Sequence, residues 1–145
     1  EDAFELDVSA APDRWKIDAP RVRQALVNLL ENARQASMNG AHGVATAAGD
    51  HAPPSQPTGA RAKAARARVA QEDGRLVFEV HDSGPGLPAG SEMRIFDPFF
   101  TTRTNGTGLG LAVARHVAEM HGGRITAYNH PDGGAVFRLE LPRND

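Results

Sequence analysis

Apolar and polar positions along this chain change period several times, and each change marks an element. FELDVS (4–9) alternates, which predicts a half-buried strand. APD (11–13) signals a turn, and RWKID (14–18) alternates again, with Trp15 and Ile17 on one face. Asp18 is placed to cap a helix with Pro20 in its first turn. Val22, Leu26, Leu29, Leu30 and Ala33 follow at helical spacing and give that helix one apolar face. It should run to about Ser37, where Asn39-Gly40 stops it.

Residues 40–63 break the pattern. They are rich in Ala, Gly and Pro, nearly devoid of large apolar side chains, and read as a loop insertion. The basic run at 61–68 reads as a solvated surface leading into a strand, with a contact patch as the alternative. Strands are expected at 65–71 and 75–81, turned at Glu72-Asp73-Gly74. LVFEV (76–80) is the most apolar of them and should be central, followed by the loop HDSGPGLP (81–88). A helix is expected at 108–120, with Leu111, Val113, Ala114, Val117 and Met120 inward and Gly122-Gly123 at its end. RITAYN (124–129) and AVFRLEL (135–141) complete the strands, turned at 131–134. Strands and helices mix without strict alternation, which predicts an α/β two-layer sandwich. Its sheet should be mixed but largely antiparallel, with helices on one face.

Composition narrows the picture. A chain of 145 residues favours one domain, here 1–145 with the insertion inside it. Net charge is −2, which argues against a general nucleic-acid surface. There is no cysteine, so disulfides and thiolate zinc sites are excluded. No apolar run approaches the roughly 20 residues that span a bilayer, so no direct membrane contact is expected. The absence of cysteine permits a reducing compartment, with a cytoplasmic setting expected, and the opening at Glu1 without methionine reads as a piece of a longer protein whose parent can be membrane-anchored.

Four short stretches carry candidate chemistry. In ALVNLLENARQA, Asn28 and Asn32 share a helix face flanked by Glu31 and Gln35. Asparagine oxygens are hard neutral donors of the kind magnesium accepts beside phosphates and water; a solvated polar face would look the same. In DSGPG, the Asp82 carboxylate can accept a hydrogen bond from an exocyclic amine, and Gly84 and Gly86 allow close backbone approach to a flat ring. An ordinary strand-to-loop turn is the alternative. In GTGLGLA, glycines 106, 108 and 110 precede a helix, where backbone N–H groups and the helix dipole suit a phosphate. The string lacks the Gly-Lys-Ser/Thr of a Walker A loop, and no parallel strand–loop–helix unit surrounds it. In FDPFFTTR, Phe96, Phe99 and Phe100 are either core or lid anchors, and Arg103 can meet a phosphate.

Taken together and in this order, these stretches resemble the catalytic and ATP-binding domain of sensor histidine kinases, in the superfamily shared with gyrase B, Hsp90 and MutL. NLLENA is similar to that family's N box, DSGPG to its G1 box, FDPFF to its F box and GTGLGLA to its G2 box. HGG (121–123) and GGAVF (133–137) also match, and the wording is most like the nitrogen-regulation and flagellar-regulation kinases. The resemblance implies the Bergerat ATP-binding fold with ATP and magnesium as cofactors. It places Asn32 on the metal, and Asn28 and Gln35 near the phosphates. Asp82 would select adenine in a pocket shaped by Gly84 and Gly86. Thr101, Thr102 and Arg103 would form the lid, while Gly106, Thr107, Gly108, Leu109, Gly110 and Leu111 would wrap the phosphates. Three residues depart from the pattern: His81 would crowd the adenine side, Ala135 lacks the usual threonine hydroxyl near Asp82, and Gln35 replaces a lysine.

The resemblance also bears on the reaction. Gyrase-like relatives use a glutamate four residues before the metal-binding asparagine to activate water. Here that position is Asn28, which cannot act as a base, so transfer is favoured over hydrolysis. Asn28 and Arg103 are the residues assigned to the transfer step, with Glu31 as a carboxylate able to assist. None of His42, His51, His81, His116, His121 and His130 lies in a helix beside an acid, as a phosphoacceptor would. The chain is therefore expected to be a protein histidine kinase's donor half. Its partners would be a histidine-bearing dimerisation domain of the same parent and a response regulator receiver domain. The alternatives are a degenerate interaction module, an anti-sigma serine kinase, and an ATP-hydrolysing clamp of the gyrase branch.

Overall fold

The computed structural model describes residues 5–38, 65–92, 94–98 and 109–143. The elements run β1 (Glu5–Ala10), α1 (Ala19–Met38), β2 (Arg66–Glu72), β3 (Arg75–His81), a 3-10 turn (Arg94–Phe96), α2 (Gly110–Met120), β4 (Arg124–Asn129) and β5 (Ala135–Pro142). The strands form one sheet in the order β1-β2-β3-β5-β4, with β1 and β2 parallel and every other pairing antiparallel. The sheet is thus mixed and largely antiparallel, and LVFEV is its middle strand. The β2–β3 connection is tight because Asp73 and Gly74 both take positive φ, 50° and 75°, as a two-residue primed turn requires.

Strand alternation explains why there are two layers and not three. Leu76 and Val80 of β3, Ile125 and Ala127 of β4, and Ala135, Phe137, Leu139 and Leu141 of β5 join the buried core beneath the helices. The intervening residues put charge on the other face. Arg68, Glu79 and Arg138 lie in one row across β2, β3 and β5. Arg138 bonds Glu79 at 2.6 Å and Glu72 at 2.9 Å, and Arg68 bonds Glu79 at 2.8 Å. Arg138, then Arg68, holds the Glu72 carboxyl below the usual carboxylate range. A face satisfied this way needs no second helical layer.

Helix α1 begins where the sequence places it. Asp18 Oδ1 accepts the Arg21 N–H at 3.3 Å, a side-chain N-cap. Its buried stripe is Val22, Ala25, Leu29 and Ala33, with Leu26 and Leu30 packed half-buried beside it. Helix α2 buries Ala114, Val117 and Ala118. Val113 and Met120, expected inward, are 40% and 48% exposed. They are seven apart and so share the stripe flanking the contact, while α1 and the sheet approach the small-residue stripe. Strand β1 also departs from expectation: it is exposed along its whole length, with Leu6 at 65% and Val8 at 53%. It is an edge strand, and the two helices pack over β3, β4 and β5.

One side chain ties the two helices at their far ends. His121 donates through Nδ1 to the Val117 carbonyl at 2.8 Å and accepts the Asp18 N–H through Nε2 at 3.0 Å. The carbonyl can only accept and the peptide N–H only donate, so the ring is the neutral Nδ1–H tautomer. His121→Ala is expected to lower stability by about 1–2 kcal/mol, since both partners lose a bond at a partly exposed site. Urea denaturation checks this; an unchanged midpoint would show that water replaces both bonds.

Candidate functional site

Asp82 follows the last residue of the central strand and is 3% exposed. Its N–H donates to the Ala135 carbonyl at 3.0 Å, and its Oδ1 accepts the N–H groups of Ala135 and Gly84, each at 3.0 Å. The carboxylate is therefore fixed to the start of β5 as firmly as a ladder residue, on the face where the helices lie. Ala135 presents its N–H to Asp82, so a hydroxyl at that position would stand beside the carboxylate.

The glycines beside Asp82 owe their identity to protein neighbours. A Cβ on Gly84 would sit 2.6 Å from the Ala36 carbonyl oxygen of α1. Gly86 has φ of 88°, and a Cβ there would sit 2.7 Å from Asn129 Oδ1 of β4. The loop is held against both elements. The Ser83 N–H donates to Ser37 Oγ at 3.0 Å, and Leu87 exchanges two bonds with the Asn129 amide. Ser37 and Asn129 were not singled out by the sequence. An asparagine closing an otherwise β-prone RITAYN was the available signal, because asparagine is depleted in strands.

Further along α1 the polar face meets the start of α2. Asn28 Nδ2 donates to the Gly110 carbonyl at 3.2 Å, and Asn28 Oδ1 accepts from Gln24 at 3.0 Å. Asn32 lies one turn on and is half-buried. Glu31 is exposed, paired with Arg34 at 2.6 Å and bonded by Gln35 at 3.1 Å. Leu109 is 41% exposed before α2, whereas Leu111 packs against the core. Leu109 stands at the N-cap position of α2 and gives no side-chain cap, and among the described residues the first turn carries no acid. A helix start without a carboxylate of its own in the first turn suits a negative group.

One helix therefore reaches both ends of the candidate site. Ser37 touches the loop of Asp82, and Asn28 touches the start of α2. The nine steps from Asn28 to Ser37 cover about 13 Å of helix, with Asn32 midway.

Thr101, Thr102, Arg103, Gly106, Thr107 and Gly108, together with Phe99, Phe100 and the insertion at 40–63, lie outside the described residues. Phe96 is core: it is 5% exposed and meets Phe137 edge-on, centroids 6.2 Å apart. His81 does not crowd Asp82. It precedes Asp82 on a strand whose side chains alternate, and its ring stacks on His130 at 4.3 Å and donates to the Gly133 carbonyl at 2.9 Å. Its partner across β5 is Val136, on the face away from the helices.

Comparison with known proteins places this arrangement. Residues 17–145 match the model of the histidine kinase-, DNA gyrase B-, and HSP90-like ATPase family. The chain belongs to that family. It is 39% identical over 132 residues to the sensor protein KdpD of Escherichia coli, covering 88% of this chain and 12% of that protein. The catalytic domain of histidine kinase ThkA superposes with a TM-score of 0.72 at 30% identity, over 97% of this chain and 78% of that one. Full-length ShkA, solved with AMPPNP, gives 0.67 at 26% identity, over 98% and 26%. The chain spans between 12% and 28% of the length of the curated relatives it matches. The two-layer sheet-and-helix sandwich is the family's ATPase fold; the stretches resembling the N and G1 boxes sit on α1 and on the loop after β3, and the described part of the stretch resembling the G2 box, 109–112, leads into α2.

Proposed function

We propose that this chain is the ATP-binding catalytic domain of a sensor histidine kinase, passing the γ-phosphoryl group of ATP to a histidine on a separate dimerisation domain. A response regulator receiver domain would then take the phosphoryl group, and the setting would be cytoplasmic. The observation that carries this is the helix that touches both the loop of buried Asp82 and the start of α2. Asp82 receives the adenine amine, the loop of Gly84 and Gly86 lines the ring, and the phosphates run along α1 toward α2. Thr101, Thr102 and Arg103 supply the lid, and Gly106, Thr107 and Gly108 complete the phosphate wrap.

The donor set fits magnesium. Among the described residues no cluster of three or more His, Cys, Asp or Glu side chains can cage a cation. Magnesium beside nucleotide phosphates needs only one or two protein oxygens, and Asn32 offers one on the correct face. When bound, the ion neutralises developing phosphate charge. Asn28 has no proton-accepting chemistry, and both its amide ends are engaged at Gln24 and Gly110. Glu31 is tied to Arg34 and Gln35. Neither activates water, which favours transfer over hydrolysis and separates this reading from a gyrase-type clamp.

Calorimetric titration with ATP, with and without magnesium, tests the site. Asn32→Ala is expected to reduce the strengthening that magnesium gives, while metal-free affinity stays within about twofold of the native chain. Loss of a neutral oxygen ligand should weaken the magnesium-dependent part roughly tenfold. Steady-state phosphate release well above background would overturn the donor-domain reading in favour of hydrolysis.

A further inference from the structure

Asn129 ends β4, outside every motif that marks the nucleotide site, yet its side chain reaches back to the loop after Asp82. Oδ1 accepts the Leu87 N–H at 2.6 Å, and Nδ2 donates to the Leu87 carbonyl at 3.3 Å. One amide thus satisfies both backbone groups of one residue, as a neighbouring strand would. The fit depends on Gly86, where a Cβ would lie 2.7 Å from the same Oδ1. The other end of the loop is pinned separately, by Ala135 on Asp82 and by Ser37 on Ser83. Between these pins stand Gly84 and Gly86; on the distal side the Leu87 side chain packs against the core and Asn129 holds its backbone.

We infer that Asn129 is a positioning residue for adenine recognition: its clasp on Leu87 sets the height of the 83–87 loop over the base and so keeps the ring aligned with Asp82. This rests on the nucleotide site proposed above. The clasp lies at the base end of the site, away from Asn28, Asn32 and the start of α2. Its loss should therefore act on base discrimination and leave the magnesium dependence alone. A residue that only supported the fold would weaken every nucleotide equally.

The test is titration of the native chain, Asn129→Ala and Gly86→Ala with ATP and with GTP, with and without magnesium. It is read beside thermal melts and amide exchange at Leu87. Asn129→Ala is expected to raise the ATP Kd about tenfold, as loss of two bonds ordering a loop would. GTP binding should change little, so the preference for ATP shrinks, and Leu87 exchange should quicken. Gly86→Ala should reproduce this pattern by pushing the amide aside. If the native chain prefers ATP and Asn129→Ala keeps both that preference and the ATP Kd, the inference is overturned. Equal losses for ATP and GTP with a large fall in melting temperature overturn it too, by showing a structural role. A native chain that binds neither nucleotide overturns the site itself, which is distinguishable because no variant is needed to see it.

Discussion

Asp82→Asn is expected to weaken ATP binding about a hundredfold while leaving the melting temperature within a few degrees of native. The asparagine retains one oxygen, and the Ala135 and Gly84 N–H groups, both bonded to Oδ1 at 3.0 Å, select it for that place. The amide nitrogen must then occupy the position of the second carboxylate oxygen. An amine of adenine arriving there meets a donor instead of an acceptor. The loss combines a charge-assisted bond, about 1.5–3 kcal/mol, with the cost of two donors facing each other at a site only 3% exposed. Asp82→Ala would behave differently, because it also strips the acceptor from the Ala135 N–H and should destabilise the fold. Calorimetry beside a thermal melt separates the two effects, and an Asp82→Asn chain that binds ATP as tightly as the native one would remove Asp82 from base recognition.

How far the sequence could be read depended on how local the deciding interactions were. The strands at 66–72, 75–81, 124–129 and 135–142 and both helices carry their own periodicity and turn chemistry, so they emerge within a residue or two. The cap at Asp18 is a three-residue event and was equally visible. What escaped was set by neighbours distant in the chain. Alternation in β1 is the pattern of a half-buried strand, but burial needs a covering layer, and the helices lie elsewhere. The stripe of α2 was misjudged because Val113 and Met120 are large while Ala118 is small, and close helix contact selects the small residue. At the site, the residue types in the motifs were legible, but the clasp of Asn129 on Leu87 joins positions 42 apart.

The same distance-dependence governs why certain glycines are fixed. Sequence reasoning gave Gly84 and Gly86 to the ligand, since glycine permits close approach by a flat ring. The structure gives each a close protein neighbour, the Ala36 carbonyl and the Asn129 amide. A loop pressed against α1 on one side and β4 on the other has one available height. On the proposed nucleotide site, that packing would present Asp82 and the loop backbone together, and the glycines would serve the ligand through it.

Gly134→Ala is expected to be the most damaging single change near the site, and Gly133→Ala is its control. Both glycines have positive φ, 80° and 101°, so both alanines carry backbone strain of about 1–2 kcal/mol. They differ in surroundings. A Cβ on Gly133 meets nothing within 4 Å, whereas one on Gly134 would lie 2.0 Å from the Asp82 carbonyl oxygen. That oxygen belongs to backbone and cannot rotate away. Relief requires the start of β5 to separate from the end of β3, which breaks the Asp82–Ala135 exchange of bonds. The displacement adds about 1–3 kcal/mol of overpacking to the strain. It also moves the carboxylate proposed to receive adenine. Gly134→Ala should therefore lose about 3 kcal/mol or more of stability and most of its ATP affinity together, while Gly133→Ala loses only the strain energy and binds normally. Urea denaturation and ATP titration of the two variants give the comparison. Equal stability losses would mean that the Asp82 carbonyl can yield after all, and that the pairing at the head of β5 is not what fixes the carboxylate.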